Sequence, residues 1–146
     1  MKPKEIWYKP KVVENNNCYN YAVDDPANDF RQMGVISNSD KSNTICDDGY
    51  CEYKCENITE NTLNDIPEAV VSGVNESCQT GFRKICNFIR NGSFSDYHWY
   101  RQDEDGSWSD KPGWGSVSVN KTDIESDAKE KGYREFCNCF CIPDKD

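Results

Sequence analysis

The stretch Asp96-Tyr97-His98-Trp99-Tyr100-Arg101-Gln102-Asp103-Glu104-Asp105-Gly106-Ser107-Trp108-Ser109-Asp110-Lys111-Pro112-Gly113 decides the reading of the chain. Residues 94–103 and 107–111 are rich in aromatic and β-forming side chains and predict two strands. Glu104-Asp105-Gly106 between them fits a three-residue hairpin loop with glycine in the left-handed position. That loop sets a register: Asp103 faces Ser107, Tyr100 faces Asp110 and His98 faces Pro112. Side chains alternate with period two, so His98 and Asp110 become diagonal neighbours on one face of the sheet. A slip of one residue would send Asp110 to the opposite face, so its partnership with His98 depends on the loop. Asp123 and Asn120 are the substitutes further along the chain.

Working outward, residues 82–89 predict the strand before the hairpin, with Asn91-Gly92 turning between them, and residues 133–142 alternate apolar and polar as a closing strand. On the N-terminal side, Asn17 is a good helix cap, so Cys18-Tyr19-Asn20-Tyr21-Ala22 opens a short helix that Pro26 and its polar neighbours end. Residues 1–13 read as an extended segment. Residues 34–60 read as a polar, Cys-bearing insertion, and residues 64–73 as a second helix with Pro67 in its first turn and Gly73 as its stop. The expected fold is α+β, one domain over residues 1–146, with N-terminal helices packed on an antiparallel sheet and disulfides stapling it.

The composition explains the staples. Hydrophobic residues make up 36% of the 146, below the roughly 45–50% of ordinary globular domains. Four Trp, eight Tyr and six Phe restore part of the missing apolar area. A net charge of −9 argues against nucleic acid and anionic membrane as partners, because both reward Lys and Arg. No stretch has the apolar length of a membrane span. Nine cysteines point to an oxidising compartment, so the chain is expected to be secreted, its leader lying outside this sequence. Four Asn-x-Ser/Thr sequons, at Asn57, Asn75, Asn91 and Asn120, are candidate glycosylation sites.

Nine is odd, so one thiol stays unpaired or bonds a second chain. Cys46, Cys51, Cys55, Cys78, Cys86, Cys137, Cys139 and Cys141 suffice for four bridges of undetermined connectivity. The last three alternate along one strand face and suit bridges to neighbouring segments. Cys18 is the outlier, remote in sequence and at a helix start, where the dipole and open N–H groups favour a thiolate. The competing possibility is that Cys18 bonds one of the eight and another thiol is left over. A cysteine nucleophile needs a base, and His98 is the only imidazole in the chain. Asp110 would orient it, and the Cys18 backbone N–H with Asn16 or Asn17 would line an oxyanion site.

Three stretches resemble a widespread family of small, poorly characterised, mainly bacterial proteins: Asn17-Cys18-Tyr19-Asn20-Tyr21-Ala22, Asp96 to Asp103, and Asp105-Gly106-x-Trp108-Ser109-x-Lys111-Pro112-Gly113. Phe136-Cys137-x-Cys139-Phe140-Cys141 is similar to secreted-looking eukaryotic members. The resemblance implies a papain-like fold, with Cys18 and His98 as a catalytic pair, near the cell-wall endopeptidases and amidases of that superfold. Where the family usually carries His, this chain carries Asp110.

Two main functions follow as expectations. The first is a secreted thiol hydrolase of amide bonds, a peptidase, amidase or cell-wall endopeptidase acting as a monomer on a peptide, protein or peptidoglycan-like substrate without metal or cofactor. The second is a disulfide-rich binding module, an effector or toxin-like domain without catalysis, using aromatics such as Trp99, Trp108 and Trp114. A zinc site made from the Cys46–Cys55 loop and the Cys137–Cys141 strand is a third, against which the spacings count.

Overall fold

A computed structural model describes residues 4–145. The protein is α+β. A six-stranded sheet in the order β3-β8-β4-β5-β6-β7 is antiparallel throughout. Its strands are β3 (Val70–Ser72), β4 (Phe82–Arg90), β5 (Asp96–Gln102), β6 (Trp108–Asp110), β7 (Ser118–Lys121) and β8 (Glu135–Pro143). A separate hairpin joins β1 (Thr44–Asp47) to β2 (Tyr50–Tyr53). The helices are α1 (Pro10–Asn15), α2 (Cys18–Val23), α3 (Cys55–Asp65) and α4 (Ile124–Glu130), preceded by a 3₁₀ turn at Glu5–Tyr8.

Alternation along the strands sends apolar side chains to both faces of the sheet. Ile85, Ile89, Tyr97, Trp99 and Phe140 pack against Tyr19 and Ala22 of α2 and Ile58 of α3. Cys86, Phe88, Tyr100 and Trp108 pack against Ile124 and Ala128 of α4. A third cluster joins Trp7 and Val12 to Tyr21, with the Trp7 and Tyr21 rings edge to face at 5.1 Å.

The hairpin at residues 96–110 forms in the expected register. Tyr100 lies opposite Asp110, the Asp103 N–H donates to the Ser107 carbonyl at 2.8 Å, and Gly106 takes φ +86°. β6 ends at Asp110, so His98 has no ladder partner on that edge.

Three other regions differ from expectation. Residues 1–13 are not extended over their described part: Pro10 begins α1 at its first turn, where its missing N–H costs nothing. The second helix is α3, ending at Asp65, where residues 64–73 were expected to hold it. Residues 70–72 pair instead with β8. The segment 34–60 holds the β1–β2 hairpin and the first half of α3 as well as turns.

Four disulfides cross-link the fold: Cys46–Cys51, Cys55–Cys137, Cys78–Cys141 and Cys86–Cys139. The three cysteines of β8 each reach a different segment, tying that strand to α3, to the loop before β4 and to β4 itself. Among the described residues, no helix is long and apolar enough to cross a membrane.

Candidate functional site

Cys18 is the free cysteine and is buried. It occupies the first position of α2 because Asn17 and Asn20 close a reciprocal cap. The Asn17 side chain accepts from the Asn20 backbone N–H at 3.0 Å, and the Asn20 side chain accepts from the Asn17 N–H at 3.3 Å. All six residues of α2 are buried. The helix packs on β5, where the backbone N–H of Trp99 is directed at the sulfur.

His98 comes from the start of β5, upstream of the stretch paired with β6. Its Nε2 lies 2.7 Å from Asp110 Oδ2. The ring is stacked on Tyr133, centroids 5.3 Å apart, and meets Tyr100 edge-on at 4.9 Å. With Nε2 held by Asp110, Nδ1 is the nitrogen left for proton transfer, and it has no hydrogen-bond partner among the described residues. Cys18 and His98 both line one cavity of about 620 Å³, together with Phe30, Gln32, Tyr53 and Trp114. Among the described residues, no hydrogen bond joins the thiol to the imidazole.

The electrostatics correct one expectation. The helix start was expected to lower the Cys18 pKa. Burial instead pushes the thiol up to about 12, against the backbone N–H of Trp99, with the charges of Asp96 and Asp110 adding to the rise. A six-residue helix and two N–H groups do not repay the loss of water around a thiolate. The resting sulfur is therefore a thiol, and any nucleophilic step must remove its proton.

Asp110 has no exposed surface. Burial pushes its carboxyl up, but the His98 N–H and the Lys131 ammonium hold it below the ordinary carboxylate value. Lys131 Nζ reaches Asp110 Oδ2 at 2.7 Å and Asp127 Oδ2 at 3.1 Å. Lys121 Nζ lies 2.9 Å from Asp127 Oδ1 and 3.7 Å from Asp110 Oδ1. The sequence reading missed Lys131, Lys121 and Asp127. Their signal was the cap Asp123-Ile124-Glu125-Ser126, which opens α4 and brings Asp127 and Lys131 under the sheet: Asp123 accepts from Ser126 N–H at 3.0 Å.

Two remaining candidates lie apart from this chemistry. Asp123 caps α4 and Asn120 is exposed on β7 at φ +62°, while the Nε2 contact of His98 goes to Asp110. Of the two asparagines expected at an oxyanion site, Asn17 lines the cavity with Cys18, and the side chains of both make structural hydrogen bonds. Asn16 Nδ2 donates to the Val12 carbonyl at 3.0 Å and Asn28 Oδ1 at 3.2 Å, and Asn17 Nδ2 donates to the Arg31 carbonyl at 2.8 Å. Between them and the hairpin sits Lys111, fully buried, whose ammonium donates to the Asn16 carbonyl and, at 2.7 Å, to that of Gly113. It ties the end of β6 to the loop that presents Cys18.

Of the sequons, Asn75, Asn91 and Asn120 are exposed. Asn57 is buried on α3 with its Nδ2 donating to the Ser42 carbonyl at 2.9 Å, and Asn91 Nδ2 donates to the Tyr53 carbonyl at 3.0 Å. The cysteines of the zinc alternative are all in disulfides, which leaves no thiolate ligands for a metal.

No protein-family model, no curated protein and no solved structure matches the chain.

Proposed function

We propose that the protein is a secreted, papain-like cysteine hydrolase of amide bonds, acting on a peptide, protein or peptidoglycan-like substrate. One observation carries this reading. The free thiol and the sole imidazole line the same cavity, and the imidazole's other nitrogen is held at 2.7 Å by a buried carboxylate. A nucleophile, a base and a group that orients the base are the parts such chemistry needs. The disulfides support an oxidising compartment.

In this mechanism His98 Nδ1 takes the Cys18 proton as sulfur attacks the amide carbon. The new C–S bond gives a tetrahedral oxyanion, next to the Cys18 backbone N–H that a helix start leaves open. Collapse breaks the C–N bond, and the proton on Nδ1 leaves with the amine. Water, deprotonated by the same nitrogen, then cleaves the thioester and regenerates the thiol.

Amine release from fluorogenic peptide amides and from purified peptidoglycan tests the proposal. Cys18→Ala and His98→Ala are each expected to lower the rate about 10³-fold or more. Full activity in Cys18→Ala would overturn it. Of the aromatics expected to serve a binding module, Trp99 and Trp108 are buried in the core and drop out; Trp114 at 75% and Phe30 at 47% are exposed on the cavity wall and support that second reading. That reading expects retention on the same polymers with no turnover, and retention unchanged in Cys18→Ala.

A further inference from the structure

The group behind His98 is larger than one carboxylate. Asp110 Oδ2 accepts twice, from His98 Nε2 at 2.7 Å and from Lys131 Nζ at 2.7 Å. Lys131 also reaches Asp127 at 3.1 Å, and Lys121 spans Asp127 at 2.9 Å and Asp110 at 3.7 Å. The Tyr100 hydroxyl closes the arrangement on Asp127 Oδ2 at 2.5 Å. Two carboxylates thus face two ammoniums, and their charges cancel without the imidazole.

The other groups around the His98 ring add no charge in direct contact with it. Tyr133 covers one face and donates its hydroxyl to Asp96 at 2.8 Å. Arg90 lies beyond, on the Tyr133 ring at 4.8 Å and 3.4 Å from Asp96. Tyr100 meets the ring edge-on, and Cys18 lines the cavity from α2. An imidazolium at His98 would therefore add an uncompensated positive charge beside the buried Asp110, in a network whose partly exposed members already balance it. A lone Asp110 would do the reverse and call for a cation.

We propose that Lys131, which lines the same cavity, is a positioning residue of the site: by balancing Asp110, it lets His98 bond as a neutral Nε2–H donor and leaves Nδ1 unprotonated to act as base. This rests on the hydrolase reading for its purpose but on ion-pair geometry for its substance. It also gives Asp110 a reason to tolerate two donors on one oxygen.

The chain has one histidine, so a long-range ¹H–¹⁵N spectrum of the imidazole is unambiguous. In the intact protein at pH 7 it is expected to show a protonated Nε2 and an unprotonated Nδ1. Lys131→Met is expected to show both nitrogens protonated at the same pH, and Lys131→Arg to restore the original pattern. On the hydrolase assay, the acid limb of the Lys131→Met profile is expected to move up by about one pH unit, a roughly tenfold lower rate along that limb. Lys131→Gln, which keeps a hydrogen-bond donor without the charge, serves if the Met variant does not fold by near-ultraviolet circular dichroism. An intact protein already carrying an imidazolium or an Nδ1–H tautomer at pH 7 would overturn the proposal. So would a folded Met or Gln variant with an unchanged spectrum. A silent hydrolase assay with the expected spectra would remove the hydrolase reading and leave the role of Lys131 standing.

Discussion

Asp110 meets His98 on the diagonal: its partner across the ladder is Tyr100, two residues further along β5, yet its Oδ2 lies 2.7 Å from His98 Nε2. The contact exists only in this register. Asp110→Asn keeps the shape and removes the charge that fixes the imidazole tautomer. It is expected to lower kcat/KM for amide hydrolysis by about 10²–10⁴-fold, with near-ultraviolet circular dichroism unchanged. A loss of less than fivefold would remove Asp110 from the mechanism.

Cys18 should titrate late. An ordinary thiol stops gaining reactivity above pH 9, whereas a thiol held at about 12 gains about tenfold in alkylation rate with each pH unit from 8 to 11. Iodoacetamide labelling, read by peptide mass spectrometry at Cys18, checks this. Stability follows with a definite sign. The folded state keeps the proton between about 9 and 12 while the unfolded chain loses it, so the contribution is complete below about pH 9 and is lost as pH rises toward 12.

Asp127 sets the acid limit. Against the burial that raises it, the Tyr100 hydroxyl and the Lys121 and Lys131 ammoniums hold its carboxyl down to about 2. The unfolded chain takes up the proton first, so this contribution is present above pH 4 and is lost as pH falls through about 2. Thermal melts of the intact protein and of Asp127→Asn should differ at pH 6 and converge near pH 2.

The disulfides should differ in worth. Cys55–Cys137 closes a separation of 82 residues and Cys46–Cys51 one of 5. Chain-entropy arithmetic gives about 4–5 kcal/mol for the first and about 2 kcal/mol for the second. Paired Cys→Ser variants in urea melts are expected to keep that order, and a larger loss from the Cys46/Cys51 pair would contradict it.

The hairpin was legible because its loop names its own geometry: only Gly106 has to adopt positive φ, and the rest of the register follows. The cap on Cys18 was legible for the same local reason. α3 was not, because its inner face carries Asn57, Asn61, Thr62 and Asp65 beside Ile58. Those polar side chains are buried by hydrogen bonding to other segments, as when Asp65 accepts from Tyr19, Gly34 and Ser37. An apolar period cannot announce a helix that buries amides. Lys131 was invisible for a related reason: Asp127 is one helical turn away on α4, but Asp110 lies on β6, and only the folded sheet brings it within reach. The lowered Cys18 pKa expected from the helix start failed because burial is a property of the whole packing, which a single turn does not reveal.

β8 follows every one of its bridge partners along the chain, since Cys55, Cys78 and Cys86 all precede Cys137. As the polypeptide leaves the ribosome, the short Cys46–Cys51 link can close early, but three of the four bridges wait for residues 137–141. Until then Cys55, Cys78 and Cys86 are thiols alongside Cys18, and an oxidant has four candidates to mispair. The three long-range pairings are thus set by β8 lying between β3 and β4, where Cys137, Cys139 and Cys141 meet Cys55, Cys86 and Cys78.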